Sequence, residues 1–332
     1  MNKKINIAII GCGVIAHSHV EAIKKITKAE LVAVCDIIEE KAKEFADKYG
    51  VVSYCTDYLE LLSRSDIDLV SICVPSGARR DIIVDAARYQ KHILSEKPLE
   101  ITKDRMTDMI DACRKAGVLL GGVFQRRTMK SAVYTRRLIQ EGKLGKIVMA
   151  NVYVKHVRSQ EYYNSAGWRG TWELDGGGAL MNQGIHGIDL MQWMIGDIES
   201  VMAYADHLIR KIEVEDTAVA AMKYKNGAFG VIQGATSIYG QEEIMFEVHG
   251  EKGTIAFGDN GFVKFNVEDV ENDLKTFGSD ISKFDHFEII NDMVDAIINK
   301  REPMVPGEEA RKAVDLILAI YKSAKSGKMV KL

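Results

Sequence analysis

The feature that most constrains this chain is Gly11-Cys12-Gly13-Val14-Ile15-Ala16, which directly follows an apolar run, Ile5 to Ile10, and opens an amphipathic stretch, Ile15 to Thr27. A strand that turns into a helix over a pyrophosphate needs glycine at the first and third of these positions and a small residue at the sixth. Gly11 permits the tight turn, Gly13 lets the backbone approach the phosphates, and Ala16 lets helix and strand pack closely. Val14 and Ile15 begin a helix whose free N–H groups favour an anion. Asp36 ends the second apolar run, 20 residues beyond Ala16. A carboxylate there accepts hydrogen bonds from ribose hydroxyls and repels a 2′-phosphate, and Ile37 and Ile38 supply no arginine to compensate. The pattern predicts a dinucleotide site selective for NAD over NADP. His17 and His19 lie on the start of the same helix but do not share a face. They are read as a surface or pyrophosphate-adjacent pair, and no metal is expected.

Short apolar runs and amphipathic stretches keep alternating up to Val118 to Phe124: Leu31 to Cys35, Glu39 to Tyr49, Leu69 to Val74, Asp81 to Tyr89, His92 to Leu94 and Lys103 to Ala116. Val- and Ile-rich runs separated by helices of about three turns are what a parallel sheet buried on both faces requires, so the fold class is α/β and doubly wound. After Phe124 a helix near Lys130 to Glu141 leads to Lys146 to Val157, and a glycine-rich segment opens a helix over Ala179 to Ile195. Val201 to His207, Thr217 to Tyr224, Gly227 to Gly234, Ile244 to His249, Thr254 to Phe257 and Phe262 to Phe265 then follow without intervening helices. These predict an antiparallel or mixed sheet, open and largely antiparallel. Two closing helices are expected at Phe284 to Asn299 and Glu308 to Ser326, the second ended by Gly327. The 332 residues divide accordingly into a first domain, 1–124, that carries the dinucleotide site, and a second, 125–332, whose final helix could pack back on the first.

Glu96-Lys97-Pro98 follows the short fifth strand, at the carboxyl edge where doubly wound folds bind ligands. Lys97 beside a cationic nicotinamide suits proton exchange or polarisation of a substrate hydroxyl. Further on, Gly176-Gly177-Gly178-Ala179-Leu180-Met181-Asn182-Gln183-Gly184-Ile185-His186-Gly187-Ile188-Asp189 sets Asn182 and His186 four apart, on one helical face, after glycines that let backbone approach a flat ring. A histidine can take an alcohol proton as hydride leaves.

Gly-x-Gly-x-x-Ala, Val74-Pro75-Ser76, Glu96-Lys97-Pro98 and the Gly-Gly-Gly…Asn…His…Asp run, in this order along nearly the whole chain, resemble the Gfo/Idh/MocA family of glucose-fructose oxidoreductases and inositol dehydrogenases. The resemblance implies a Rossmann domain, a C-terminal α/β domain whose open sheet mediates dimer or tetramer contacts, and redox chemistry on sugars or cyclitols. It implies Lys97 and His186 as the catalytic pair, Glu96 and Gln125 as contacts near the nicotinamide ribose, and Pro75 and Ser76 as cofactor wall. Asn182 stands where many members carry aspartate. The amide can orient but cannot ionise, which leaves His186 as the base. Arg79 stands where relatives often show histidine, and is read either as positive charge near the ligand or as an exposed arginine.

Gln160 to Trp172 is dense in aromatic and hydrogen-bonding groups. The faces of Tyr163 and Trp168 suit sugar rings, and Arg169 presents a planar fork suited to a carboxylate or hydroxyl pair. With Ile212 to Thr217, this segment is similar to the branch of UDP-N-acetyl-2-amino-2-deoxyglucuronate 3-dehydrogenases, which implies oxidation at C3 of a pyranose, free, glycosidic or nucleotide-linked. An inositol dehydrogenase, a non-catalytic NAD-sensing regulator and a redox-neutral enzyme that retains NAD remain open alternatives. Composition sets the outer bounds. With 44 Lys and Arg against 47 Asp and Glu there is no basic surplus for nucleic acid, and no apolar run is long enough to cross a bilayer. Five cysteines in strand-like runs read as reduced, and a cytoplasmic protein is expected.

Overall fold

In the computed structural model, which describes residues 4–239, 243–271 and 285–332, the described residues form two compact units. Residues 1–125 with 285–311 form the first, and 126–284 with 312–332 the second. The first is built on six strands, β1 (Ile5–Ile10), β2 (Ala29–Cys35), β3 (Ser53–Cys55), β4 (Leu69–Ile72), β5 (His92–Ser95) and β6 (Leu120–Gly122). Every pair is parallel, and the order is β3-β2-β1-β4-β5-β6. Ile7, Ile9, Leu69, Ile72 and Ile93 are fully buried, as strands covered on both faces require. The order reverses between β1 and β4, so the loops leaving these two strands are where a ligand fits.

The crossover helices are Val14–Ile23, Glu39–Tyr49, Arg79–Arg88 and Lys103–Ala116, with a short helix Tyr58–Ser63 before β4. That short helix and β3 lie in a stretch the apolar periodicity passes over. Three-residue β3 carries only half-buried and exposed side chains, so it has no apolar signature. The helix Phe287–Asn299 also belongs to this unit and packs on the helix Val14–Ile23 and on β5; the expected start at Phe284 lies outside the described residues. Gly122 in β6 shows how closely 285–311 approaches, since a Cβ there would lie 2.6 Å from the Ala310 Cβ.

The second unit holds β7 (Ile147–Lys155), β8 (Ile198–Asp206), β9 (Thr217–Tyr224), β10 (Phe229–Ala235), β11 (Glu243–Gly250), β12 (Gly253–Gly258), β13 (Gly261–Val267) and β14 (Val330–Lys331). They form one sheet in the order β13-β12-β11-β7-β10-β9-β8-β14. All neighbours are antiparallel except β7 and β10, which run parallel. Alternation is clean in β9, where Ala218, Ala220, Met222 and Tyr224 are buried and Val219, Ala221 and Lys223 are exposed. The inner face carries the helix Ile185–Ile195, seated so tightly that a Cβ on Gly187 would lie 2.6 Å from Val152 Cγ1. Met149, Met202, Tyr204, Val219 and Phe229 share the outer face and are exposed. Among the described residues no helix is long and apolar enough to cross a membrane, and the five cysteines are free thiols.

Candidate active site

In the first unit every residue assigned to the cofactor lies at the carboxyl end of a parallel strand or at the start of the element after it. Gly11 leaves β1 with φ +96°, and a Cβ there would meet the Cys73 carbonyl carbon at 2.8 Å, so the turn admits only glycine. Gly13 differs: its φ is ordinary and a Cβ would meet no atom within 4 Å. The protein itself does not need that side chain absent, whereas a pyrophosphate laid on the backbone would. The helix that follows has no side-chain cap and no acidic residue in its first turn, so its N–H groups are open to an anion; Ala16 is fully buried. Val14 is exposed and Ile15 half-buried at the helix start.

Asp36 stands at the end of β2 and accepts from Cys12 N at 2.9 Å and Ile38 N at 3.0 Å. Each oxygen keeps a lone pair for a ribose hydroxyl. Pro75 and buried Ser76 begin a 3₁₀ turn after β4, and Gln125, half-buried, follows β6. These observations fit NAD, for which Gly11 to Ile15 would hold the pyrophosphate and Asp36 a ribose.

Glu96 and Arg79 depart from expectation. Glu96 is buried with both carboxylate oxygens engaged inside the protein, Oε1 by His19 and His286 and Oε2 by the backbone N–H of Lys97. His19 is accordingly a core residue, while His17 is half-buried against Tyr49. Arg79 is only 4% exposed, and its guanidinium donates to the carbonyls of Val74, Glu96 and Pro98. It clamps the loops after β4 and β5, so the reading of an exposed arginine is corrected. Lys97, between two anchored neighbours, is half-buried.

In the second unit the expected single helix from Ala179 divides into a π-helical segment, Ala179–Gly184, and the α-helix Ile185–Ile195. Asn182 lies in the first and His186 in the second, so the wider π turn intervenes and the simple i, i+4 geometry does not hold. The glycine triplet is explained by the unit's own packing. A Cβ on Gly177, at φ +158°, would sit 2.2 Å from the Tyr321 hydroxyl, and one on Gly178 would sit 1.8 Å from the Glu215 carbonyl oxygen.

Glu215 organises this turn. Its carboxylate accepts from Gly178 N at 2.9 Å, Leu180 N at 2.8 Å and Tyr321 Oη at 2.9 Å. Burial outweighs these donors and pushes its pKa up to about 7. A carboxyl raised on folding contributes stability that is complete below the unfolded value near 4.5 and is lost as pH rises through about 7. The difference in melting temperature between the native chain and Glu215→Gln should therefore shift against the native chain from pH 6 to pH 8. A difference that stays flat with pH contradicts this.

Asp175 is a functional candidate that sequence reasoning missed. Buried, it accepts from Asn182 Nδ2 at 3.1 Å through one oxygen and from Gly170 N at 2.9 Å through the other. A carboxylate is thus hydrogen-bonded to the Asn182 amide. The only sequence signal was an aspartate immediately before the triple glycine. Arg169 packs its guanidinium 4.2 Å from the Tyr162 ring centroid and 4.6 Å from that of Trp168, and donates to the Tyr162 hydroxyl. Tyr163 is buried, with its hydroxyl 2.8 Å from Thr236 Oγ1, so it props the segment from beneath and offers no open ring face. Trp168 is half-buried. His186 is buried near the start of its helix, and Asp189, one turn on, pairs with Arg127 at 2.8 and 2.6 Å.

Residues 5–123 match the oxidoreductase family with NAD-binding Rossmann fold, and 133–256 match the GFO/IDH/MocA C-terminal domain. Myo-inositol 2-dehydrogenase of Thermotoga maritima is 28% identical over 99% of this chain and 98% of its own length. D-Glucoside 3-dehydrogenase of Escherichia coli is 26% identical over 100% and 98%. The WlbA dehydrogenase from Bordetella pertussis, solved with NADH and UDP-GlcNAcA, superposes with a TM-score of 0.96 at 33% identity, covering 100% of this chain and 99% of that one.

Proposed function

The chain belongs to the GFO/IDH/MocA family of NAD-binding oxidoreductases, and on that premise we propose that it oxidises the C3 hydroxyl of a UDP-linked pyranose bearing a carboxylate, of the UDP-GlcNAcA type. The observation that carries this reading is 33% identity over the full chain to a structure holding NADH and UDP-GlcNAcA. The Arg169 fork, backed by Tyr162 and Trp168, supports it, because a guanidinium held between two rings can meet a sugar carboxylate with little loss of side-chain entropy.

When bound, NAD supplies a hydride acceptor at nicotinamide C4. Lys97 is assigned to hydrogen-bonding the reacting hydroxyl oxygen and His186 to taking its proton. Asn182, held by Asp175, orients the sugar or His186. Gly11, Gly13, Val14, Ile15, Asp36, Pro75, Ser76 and Gln125 are assigned to the cofactor, and Tyr163 and Trp168 to shaping the sugar subsite. The exposed face of Met149, Met202, Tyr204, Val219 and Phe229 is assigned to self-association as a dimer or tetramer. Free thiols suit a cytoplasmic home.

The test is NADH absorbance on mixing the protein and NAD with UDP-GlcNAcA, other UDP-sugars, free pyranoses, glycosides and inositols. Continuous NADH formation with UDP-GlcNAcA is expected. Formation with myo- or scyllo-inositol alone would overturn the reading in favour of the cyclitol alternative, which the 28% identity to the Thermotoga maritima enzyme supports. A single stoichiometric rise that stalls would point to retained NAD.

A further inference from the structure

A sealed polar cluster lies beneath the Glu96-Lys97-Pro98 turn, built from three elements of the first unit. His19 comes from the helix Val14–Ile23, Glu96 from the end of β5, and His286 from the residue preceding the helix Phe287–Asn299. They are 0, 4 and 4% exposed. Both imidazoles direct Nε2 to the same oxygen, Glu96 Oε1, at 3.0 and 3.1 Å. Ser71 Oγ lies 2.7 Å from His19 Nδ1. A serine hydroxyl donating to Nδ1 leaves the His19 proton on Nε2, where it donates to Glu96. Two imidazoles and a carboxylate are also donor types that bind zinc. Here, however, a proton on each Nε2 accounts for every contact at ordinary hydrogen-bond length.

Electrostatics agrees with that assignment. Burial favours the neutral acid, but the two imidazole donors outweigh it and hold Glu96 well below the usual carboxylate range. Burial keeps His19 neutral against the pull of Glu96. A full carboxylate is therefore fixed in the core, and its second oxygen, Oε2, accepts the backbone N–H of Lys97 at 3.0 Å. Arg79 completes the frame by donating to the carbonyls of Glu96 and Pro98, the residues on either side of Lys97.

We propose that Glu96 is a positioning residue: braced by His19 and His286, its carboxylate acts with the Arg79 guanidinium to fix the backbone around Lys97 and so aims the lysine, and it makes no bond to the cofactor ribose. The proposal rests on reading Lys97 as catalytic. It explains why a buried carboxylate, which is costly to desolvate, sits directly before the lysine with both oxygens hydrogen-bonded within the first unit.

The test uses Glu96→Gln and His286→Gln in the full chain, with NAD alone as the binding probe and UDP-GlcNAcA with NAD for turnover. NAD affinity should stay within about twofold, kcat should fall about tenfold with KM little changed, and neither substitution should lower kcat further in a Lys97→Ala background. His286→Gln, at a helix start, keeps the test open if Glu96→Gln folds poorly. A tenfold weaker grip on NAD with unchanged kcat would overturn the proposal in favour of a ribose contact. An undiminished tenfold loss on top of Lys97→Ala would also overturn it, because the effect would not pass through the lysine. If Lys97→Ala alone leaves kcat intact, the reading of Lys97 falls by itself. In that case, or if UDP-GlcNAcA is not turned over, crystal structures of the NAD-bound variants decide: a displaced Lys97 side chain supports the brace, and an unmoved one overturns it.

Discussion

Lys97→Ala is expected to lower turnover by about 10²–10³-fold, the range for loss of one preorganised hydrogen-bond donor to a reacting oxygen, while NAD affinity stays within a few-fold. The asymmetry follows from the local structure. The backbone of the turn is anchored by its neighbours, Glu96 through its carboxylate and both Glu96 and Pro98 through their carbonyls. Truncating a half-buried side chain therefore leaves the turn and the pyrophosphate loop in place. Lys97→Arg should not restore activity, since a guanidinium presents a flat fork where a compact ammonium is needed to hydrogen-bond the reacting oxygen. Steady-state NADH formation together with NADH fluorescence titration checks both halves. Full turnover by Lys97→Ala with normal NAD binding would remove the lysine from the mechanism, and a joint loss of both would make it a cofactor anchor.

Elements with strong local signatures were legible in the chain. Ile5–Ile10, Glu39–Tyr49, Lys103–Ala116 and Thr217–Tyr224 have the boundaries that periodicity predicts, because hydrophobic spacing, an αL glycine at Gly50 or Gly117, or strict alternation defines them locally. The parallel pairing of β7 with β10 was not legible. It is a choice of partner between strands about 80 residues apart, and the alternation of either strand is the same for a parallel or antiparallel neighbour.

The candidate site divides along the same line. Gly11 and Asp36 could be assigned from the sequence because their roles are backbone geometry and charge at a fixed offset. The surroundings of Glu96 could not. Its partners come from residues 19 and 286, and nothing in Glu96-Lys97-Pro98 tells an outward carboxylate from an inward one. The exposed alternative for Arg79 fails for a similar reason, since a charged side chain at a helix start is usually solvated and its burial depends on the carbonyls of Glu96 and Pro98 in another loop. The triple glycine was read as letting backbone approach a flat ring, and Tyr321 and Glu215 already occupy the space a Cβ on Gly177 or Gly178 would need.

The largest effect on stability is expected at Asp189, the last residue of the His186 motif. Its carboxylate and the Arg127 guanidinium form a two-pronged pair, each side chain about 3% exposed, with the guanidinium also 5.6 Å from the Trp193 ring centroid. Removing one partner of a buried ion pair costs about 3–5 kcal/mol. Against a typical domain stability of about 5–15 kcal/mol, Asp189→Ala should lose about a fifth or more of what holds the second unit together. The pair itself need not be favourable, because desolvating both ions offsets most of their attraction. Replacing both, as Arg127→Met with Asp189→Leu, should recover most of the loss. Chemical denaturation of the two single variants and the double variant measures this, and single variants that each cost under about 1 kcal/mol would refute it. The double variant also separates stability from placement. Asp189 lies one turn after His186 on the same short helix. If the pair only stabilises, the repacked protein regains turnover along with its stability. If the pair also sets the rotation of that helix, stability returns while kcat stays low, and His186 is then held in register by a salt bridge that periodicity alone would have assigned to the apolar core.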